Sequence, residues 1–419
     1  MTTPPHTSHR RPEADPRFPA EPSTTPPPTA GSGTGRHRTQ LDVDVDGPDE
    51  RIAVYRASAR AHAAVGCYGD PTAAWSVLMS AHLTEPVDPV RVGARLAELC
   101  REYPHLGAPP TVSRAPSADM LRSTFATRPY ALREPLIRVA VGTHRPDILI
   151  AAHHGAVDGL GMVALLGAAL GQPARTAAAG LGDRPARRSF AAASVKRLGE
   201  ALFTPPTRLH REPAGADAEP DSPRWRDEIL MDAVLPRHAI GTTTTVAAAA
   251  AVAAAWNTEH GVGHDRMVVG VGASRKGDVE PRPLHRALYV RLPVPPGADR
   301  RDVRRLLSEQ SPEPDFPAGG VLSRLAVRML AGRLGATFLV SNLGVVDLGG
   351  TVRSAAFYPV VSGPAGVAFG GVTTGTTTTM TIRTRRRDFS PNAAATLLDS
   401  LIAVLPAARP VHPRPSAVV

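Results

Sequence analysis

Lysine is nearly missing from this chain of 419 residues: Lys196 and Lys276 are the only two among 48 basic side chains. Arginine carries the rest, and the net charge of +10 comes with a pI near 10.4. Such a balance invites a nucleic-acid partner. The pattern argues against one, because no aromatic residues interleave with a basic stripe and no zinc spacing accompanies it. Arg385, Arg386 and Arg387 make the one tight run, expected as an exposed strand end. Dispersed arginine is solvated surface, able to attract an acidic partner.

Aromatic residues are also scarce, at 4%, so the core has to be built mainly from alanine, valine and leucine. Two cysteines, Cys67 and Cys100, provide no disulfide framework. They suit a reduced, cytoplasmic setting. The longest strictly apolar run, Val246 to Trp256, is too short for a bilayer. No membrane span is expected. The first forty residues lack the apolar run of a secretory leader. His260-Gly-Val-Gly-His264 lacks a third ligand nearby, so no metal is expected.

Composition divides what is present. Residues 1–47 are rich in Pro, Ser, Thr and Gly and cannot bury enough apolar surface to offset chain entropy; they are expected to be a disordered tail. A second break at 204–223 reads as a linker or long loop. It separates pieces at 48–203 and 224–407, with a C-terminal tail at 408–419. Each piece mixes strands and helices, so the fold class is mixed α/β. In the first, strands are expected at Ala74–Leu83, Leu136–Gly142 and Asp147–Ala152, with helices at Pro89–Tyr103 and Leu160–Leu170. Asp88 is placed as the N-cap of the earlier helix. In the second, Thr242 to Thr245 can cap an alanine-rich helix ending near Trp256. Strands are expected at Arg266–Ala273, Leu288–Val294, Ala336–Ser341, Val352–Tyr358 and Val367–Gly371. Threonine-dense Thr373–Arg385 reads as a half-exposed strand, and Pro391–Val404 as a closing helix.

Chemistry concentrates in Ile148-Leu-Ile-Ala-Ala-His153-His154-Gly155-Ala156-Val157-Asp158-Gly159. An apolar strand delivers two adjacent histidines to its end. Neighbouring side chains on a strand point to opposite faces, so only one of the pair can face a given cavity. Imidazole suits proton removal from an amine or hydroxyl near neutral pH. Asp158 is placed either to pair with an arginine and brace the loop or to cap the following helix.

His153-His154-x-x-x-Asp158-Gly159 resembles the signature of condensation domains and CoA-dependent acyltransferases. Pro135-Leu-Ile-Arg138, the Thr242–Trp256 helix, Val268 to Arg275 and Ser341-Asn342-Leu343-Gly344 extend the likeness, which is greatest toward stand-alone, polyketide-associated members. The resemblance implies two chloramphenicol-acetyltransferase-like subdomains forming a V around a central channel. It implies that His154 is the general base, with His153 in a packing or hydrogen-bonding role. Asp158 would form a salt bridge with Arg275, beside Gly159, and Ser341 and Asn342 would help shape the site. The implied reaction moves an acyl group from an acyl-CoA or a phosphopantetheinyl carrier-protein thioester to a hydroxyl or amine. No bound cofactor is implied. The partners would be a small-molecule acceptor and an acidic acyl or peptidyl carrier protein, and the chain is expected to be a monomer. Two alternatives stay open: a non-catalytic module that binds a carrier protein, and an epimerase or cyclase on the same fold.

Overall fold

The computed structural model describes residues 48–66, 73–178, 180, 182, 184–187, 189–213, 227–236, 240–275, 277–283, 287–312, 333 and 335–405. The expected tails, linker positions 214–223, Cys67 and Lys276 lie outside them. Two sheets organise the chain.

The first sheet gathers β1 (Ser76–Leu83), β2 (Val112–Ala115), β3 (Ile137–Gly142) and β4 (Asp147–His153), with helices α1 (Pro48–Gly66), α2 (Pro89–Glu102), α3 (Arg122–Thr127) and α4 (Gly159–Leu170). β4 is buried along its whole length, which is why it reads as a continuous apolar run rather than an alternating one. On one face Ile148 and Ile150 share a core with Leu96 of α2 and Leu165 of α4. On the other, Leu149 and Ala151 pack with Phe125 and Ala126 of α3. Asp88 caps α2 as expected, accepting from the Val90 amide at 3.0 Å. Cys100 lies on the buried face of α2, and burial pushes its thiol up to about 12.

After β5 (Arg175–Thr176) and α5 (Phe190–Phe203), the second sheet gathers β6 (Glu228–Pro236), β7 (Met267–Ser274), β8 (Ala287–Val294), β9 (Phe338–Asp347), β11 (Val367–Thr374) and β12 (Thr377–Arg385). Its order is β6-β12-β11-β9-β7-β8, with β5 paired to β9. Helices α6 (Thr242–Glu259), α7 (Arg300–Glu309) and α8 (Pro391–Val404) contribute to its core: Val246, Val303 and Leu397 pack with Val269, Phe338 and Met380. Thr242 to Thr245 form the first turn of α6 instead of capping it; the N-cap is Gly241, whose carbonyl accepts from the Thr245 hydroxyl at 3.1 Å.

One strand crosses over. β10 (Val352–Tyr358) pairs antiparallel with β1, placing Tyr358 opposite Leu78, and completes the first sheet in the order β10-β1-β4-β3-β2. The chain then returns to the second sheet for β11.

Two further readings of the sequence need correction. β12 is buried almost throughout, not half-exposed. Two of its threonines find partners inside the protein: Thr381 donates to the Phe357 carbonyl at 2.6 Å, and the Thr378 and Thr373 hydroxyls meet at 2.9 Å. The arginine run is likewise no plain exposed end. Arg385 is buried against the carbonyls of Val361 and Gly363, Arg386 is half-buried, and only Arg387 is exposed. Among the described residues, no helix is long and apolar enough to cross a membrane.

Candidate active site

β4 stops at His153 because its pairing partner β1 begins at Ser76, directly opposite in register. Beyond that point the backbone turns through His154 and Gly155 into α4. His153 faces inward and is 1% exposed. Its Nδ1 accepts from the Gly155 amide at 3.1 Å, and its ring lies 4.5 Å from that of His62 and edge-on to Tyr130 at 5.3 Å. Burial pushes the imidazole down to about 3, helped by the neighbouring charges of His62, His154 and Arg138. A neutral ring accepting an amide is a structural part of the turn.

His154 points the other way and is half-buried. Its amide donates to the Trp75 carbonyl at 2.7 Å, fixing its backbone against the start of β1. Its Nδ1 lies 3.1 Å from the Val157 carbonyl. A carbonyl only accepts, so Nδ1 carries the proton and the lone pair is left on Nε2. Burial pushes this imidazole down to about 4; the Val157 carbonyl opposes the shift and the Arg383 charge adds to it. The ring is therefore neutral at pH 7 and available as a base.

Asp158 takes the second of the two roles open to it. It is the N-cap of α4, its Oδ1 accepting from the Gly161 amide at 2.8 Å. The cation that bears on it is Arg282, not Arg275. Arg275 is half-buried, and its carbonyl accepts from the Gly182 amide at 2.9 Å. Arg282 itself pairs with Asp278 and with Glu280 at 2.8 Å. Burial raises the Asp158 carboxyl from 3.8 to about 6, against the Gly161 amide, Arg282, the Leu160 amide and the Ser274 hydroxyl.

The sign of this shift sets a test. The folded protein holds the Asp158 proton more tightly than the unfolded chain, so this group costs stability as pH rises from about 4 to about 6. His153 and His154 act oppositely: the stability they contribute is present above their unfolded value of 6.5 and is lost as pH falls toward their lowered values. Asp158→Asn keeps the cap and removes the charge. Relative to the parent, it is expected to be more stable at pH 7 than at pH 4 by on the order of 3 kcal/mol. Urea denaturation at the two pH values measures this. Equal differences at both would mean that the carboxyl is not shifted.

Gly159 opens α4 against the second half of the chain. A Cβ there would lie 2.7 Å from Leu343 and 3.3 Å from Phe357. Ser341 sits on β9 between Gly272 of β7 and Gly370 of β11, in register with both. Asn342 points to the other face of β9, as a brace. Its Nδ2 donates to the Ile240 carbonyl at 3.2 Å and the Thr245 hydroxyl at 2.7 Å, and its Oδ1 accepts from Gly344 at 2.7 Å. Sequence reasoning missed His62, Trp75, Tyr130, Arg282 and Arg383. Only Arg383 left a signal, a charge alternating with apolar Met380 and Ile382 in a threonine strand.

No family model matches the sequence, and no curated protein matches it. Solved structures do. A starter condensation domain of rhizomide synthetase, in complex with C8-CoA and Leu-SNAC, superposes with a TM-score of 0.52 at 14% identity, over 84% of this chain and 94% of that one. The first condensation domain of the calcium-dependent antibiotic synthetase, with a substrate analogue, gives 0.50 at 14% identity, over 85% and 94%. The EpoB NRPS cyclization-docking bidomain from Sorangium cellulosum gives 0.50 at 12% identity, over 83% of each chain. The fold is that of the condensation domains, a mixed α/β architecture of two subdomains.

Proposed function

We propose that the protein is an acyltransferase that moves an acyl group from a thioester to a hydroxyl or amine, with His154 as general base. One observation carries this reading: the Val157 carbonyl holds the Nδ1 proton of His154 and leaves the Nε2 lone pair for the acceptor. Nε2 takes the acceptor's proton as the acceptor oxygen or nitrogen bonds to the thioester carbon. Collapse of the tetrahedral intermediate expels the thiolate, which recovers that proton from Nε2–H. The depressed basicity of the imidazole makes early proton transfer unfavourable, so the proton moves as the acceptor's bond to carbon forms.

His153 and Asp158 shape the loop that carries His154, Gly159 lets α4 pack against Leu343 and Phe357, Asn342 braces β9 against α6 within the second half, and Ser341 helps shape the site. Arg275 belongs to the strand end beside them. The donor is an acyl-CoA or a carrier-protein thioester; a structure of the same fold binds C8-CoA. An acidic carrier protein suits the net charge of +10. The reaction belongs to natural-product or lipid biosynthesis in the cytoplasm, carried out by a monomer.

A thiol-release assay with acyl-CoAs and acylated carrier proteins, against amine and alcohol acceptors, tests the reading. Acceptor-dependent release, with a product heavier by the acyl group, supports transfer. A product of unchanged mass would indicate epimerisation. Carrier binding without thiol release would indicate a docking module.

A further inference from the structure

A single arginine outside the histidine motif links the second sheet to the candidate base. Arg383 of β12 is 0% exposed. Its Nε donates to Glu228 Oε2 at 2.6 Å, and its Nη2 lies 2.5 Å from the same oxygen. Nη1 donates to the Ser76 carbonyl at 2.6 Å and the Pro359 carbonyl at 3.3 Å, and Nη2 donates to the Ala126 carbonyl at 3.3 Å. A guanidinium removed from water needs a countercharge and a full set of acceptors, and this one has both.

Its carbonyl contact at Ser76 matters because of the residue before it. Trp75 has φ of 54°, the one positive value for a non-glycine among the described residues. A large side chain resists that conformation unless its surroundings impose it. Ser76 is fastened twice more, through its hydroxyl to the Phe125 carbonyl at 2.7 Å and to the Tyr130 hydroxyl at 3.3 Å. The Trp75 carbonyl, oriented by this strained turn, receives the His154 amide at 2.7 Å.

We propose that Arg383 is a positioning residue: by anchoring the Ser76 carbonyl it holds Trp75 in its left-handed conformation, and Trp75 in turn sets the backbone of His154. The inference rests on His154 being the base of the proposed reaction. Burial of the Arg383 charge adds a consequence in the same direction, since that charge disfavours protonation of His154. Among the groups that act on the His154 imidazole, Arg383 is the charged one, His153 beside it being neutral at pH 7.

The test uses the full chain and three changes. Arg383→Met/Glu228→Met removes both charges together, so no buried charge is orphaned. Arg383→Lys keeps a charge but not the planar fork. Trp75→Gly makes a positive φ unstrained. The double variant is expected to lose about 100-fold in kcat, with KM nearly unchanged and the acid limb of the pH profile displaced upward. Arg383→Lys loses kcat without that displacement. In the Trp75→Gly background the same double substitution costs much less, because no strained residue remains to be held.

Hydrogen exchange of the His154 amide provides a readout independent of turnover. Its protection falls in the double variant and in Arg383→Lys, the latter serving if the double variant does not fold. Unchanged protection in a folded variant, or a kcat within about twofold of the parent, overturns the inference. If His154→Ala stays active, the reading of the base has failed instead, and exchange still reports on the anchor.

Discussion

His154→Ala is expected to lower kcat by a factor on the order of 100 to 10,000 while leaving the fold and KM close to those of the parent. The fold should survive because the ring contributes one hydrogen bond, Nδ1 to the Val157 carbonyl, and no part of the central cores. The loss should fall on kcat because an imidazole that removes a proton during bond formation acts in the transition state. His153→Ala should behave differently. That ring fills space between His62 and Tyr130 and accepts the Gly155 amide, so its removal should lower the melting temperature as well as the rate. Single-turnover kinetics with circular-dichroism melts of both variants separates the two effects. Full turnover in His154→Ala would end the assignment of this residue as the base.

Gly155→Ala is expected to be at least as damaging to the site, by a different route. A Cβ at this position would lie 2.0 Å from the Ala61 carbonyl oxygen and 2.9 Å from its Cα. The obstacle is backbone, in the middle of α1, so no rotamer change can make room. Either the helix moves outward or the turn after His153 opens. Overpacking of this kind typically costs about 1–3 kcal/mol. Either adjustment also carries His62, one residue beyond Ala61, away from its tilted ring contact with His153. A lowered urea midpoint together with a fall in kcat is the expected result. A variant as stable and as fast as the parent would mean that the approach of α1 to the turn is looser than 2.0 Å implies.

The elements around His154 were readable in the sequence because they obey local rules. Asp147–His153 is apolar along its length and ends in polar residues, and the helix from Gly159 opens behind its own capping aspartate. Asn342 stands out through the likeness of Ser341-Asn342-Leu343-Gly344 to the family's segment, although its role as a brace between β9 and α6 depends on contacts 97 and 102 positions away in the chain. Arg275 is the expected partner because Val268 to Arg275 resembles the family's strand that ends in an arginine. Arg282 takes that place instead through the way the 277–283 segment folds over α4: a Cβ on Gly161 would lie 3.4 Å from the Arg282 amide. Helices α1 and α5 went unseen, the first because charge and alanine obscure its apolar face, the second because Val195, Leu198 and Phe203 are exposed rather than buried. Trp75 carries no local mark of its left-handed turn, since the contacts that impose it come from β12 and α3.

The crossover of β10 has a consequence for how the protein is made. Tyr358 follows its partner Leu78 by 280 positions, so one side of β1 has no strand to bond until most of the chain has left the ribosome. An unpaired strand edge of this kind is an invitation to non-native pairing. The N-terminal half should therefore emerge as a folding intermediate that needs shielding. Fragments ending before Val352 should be aggregation-prone when expressed alone, and supplying the missing strand in trans should rescue them.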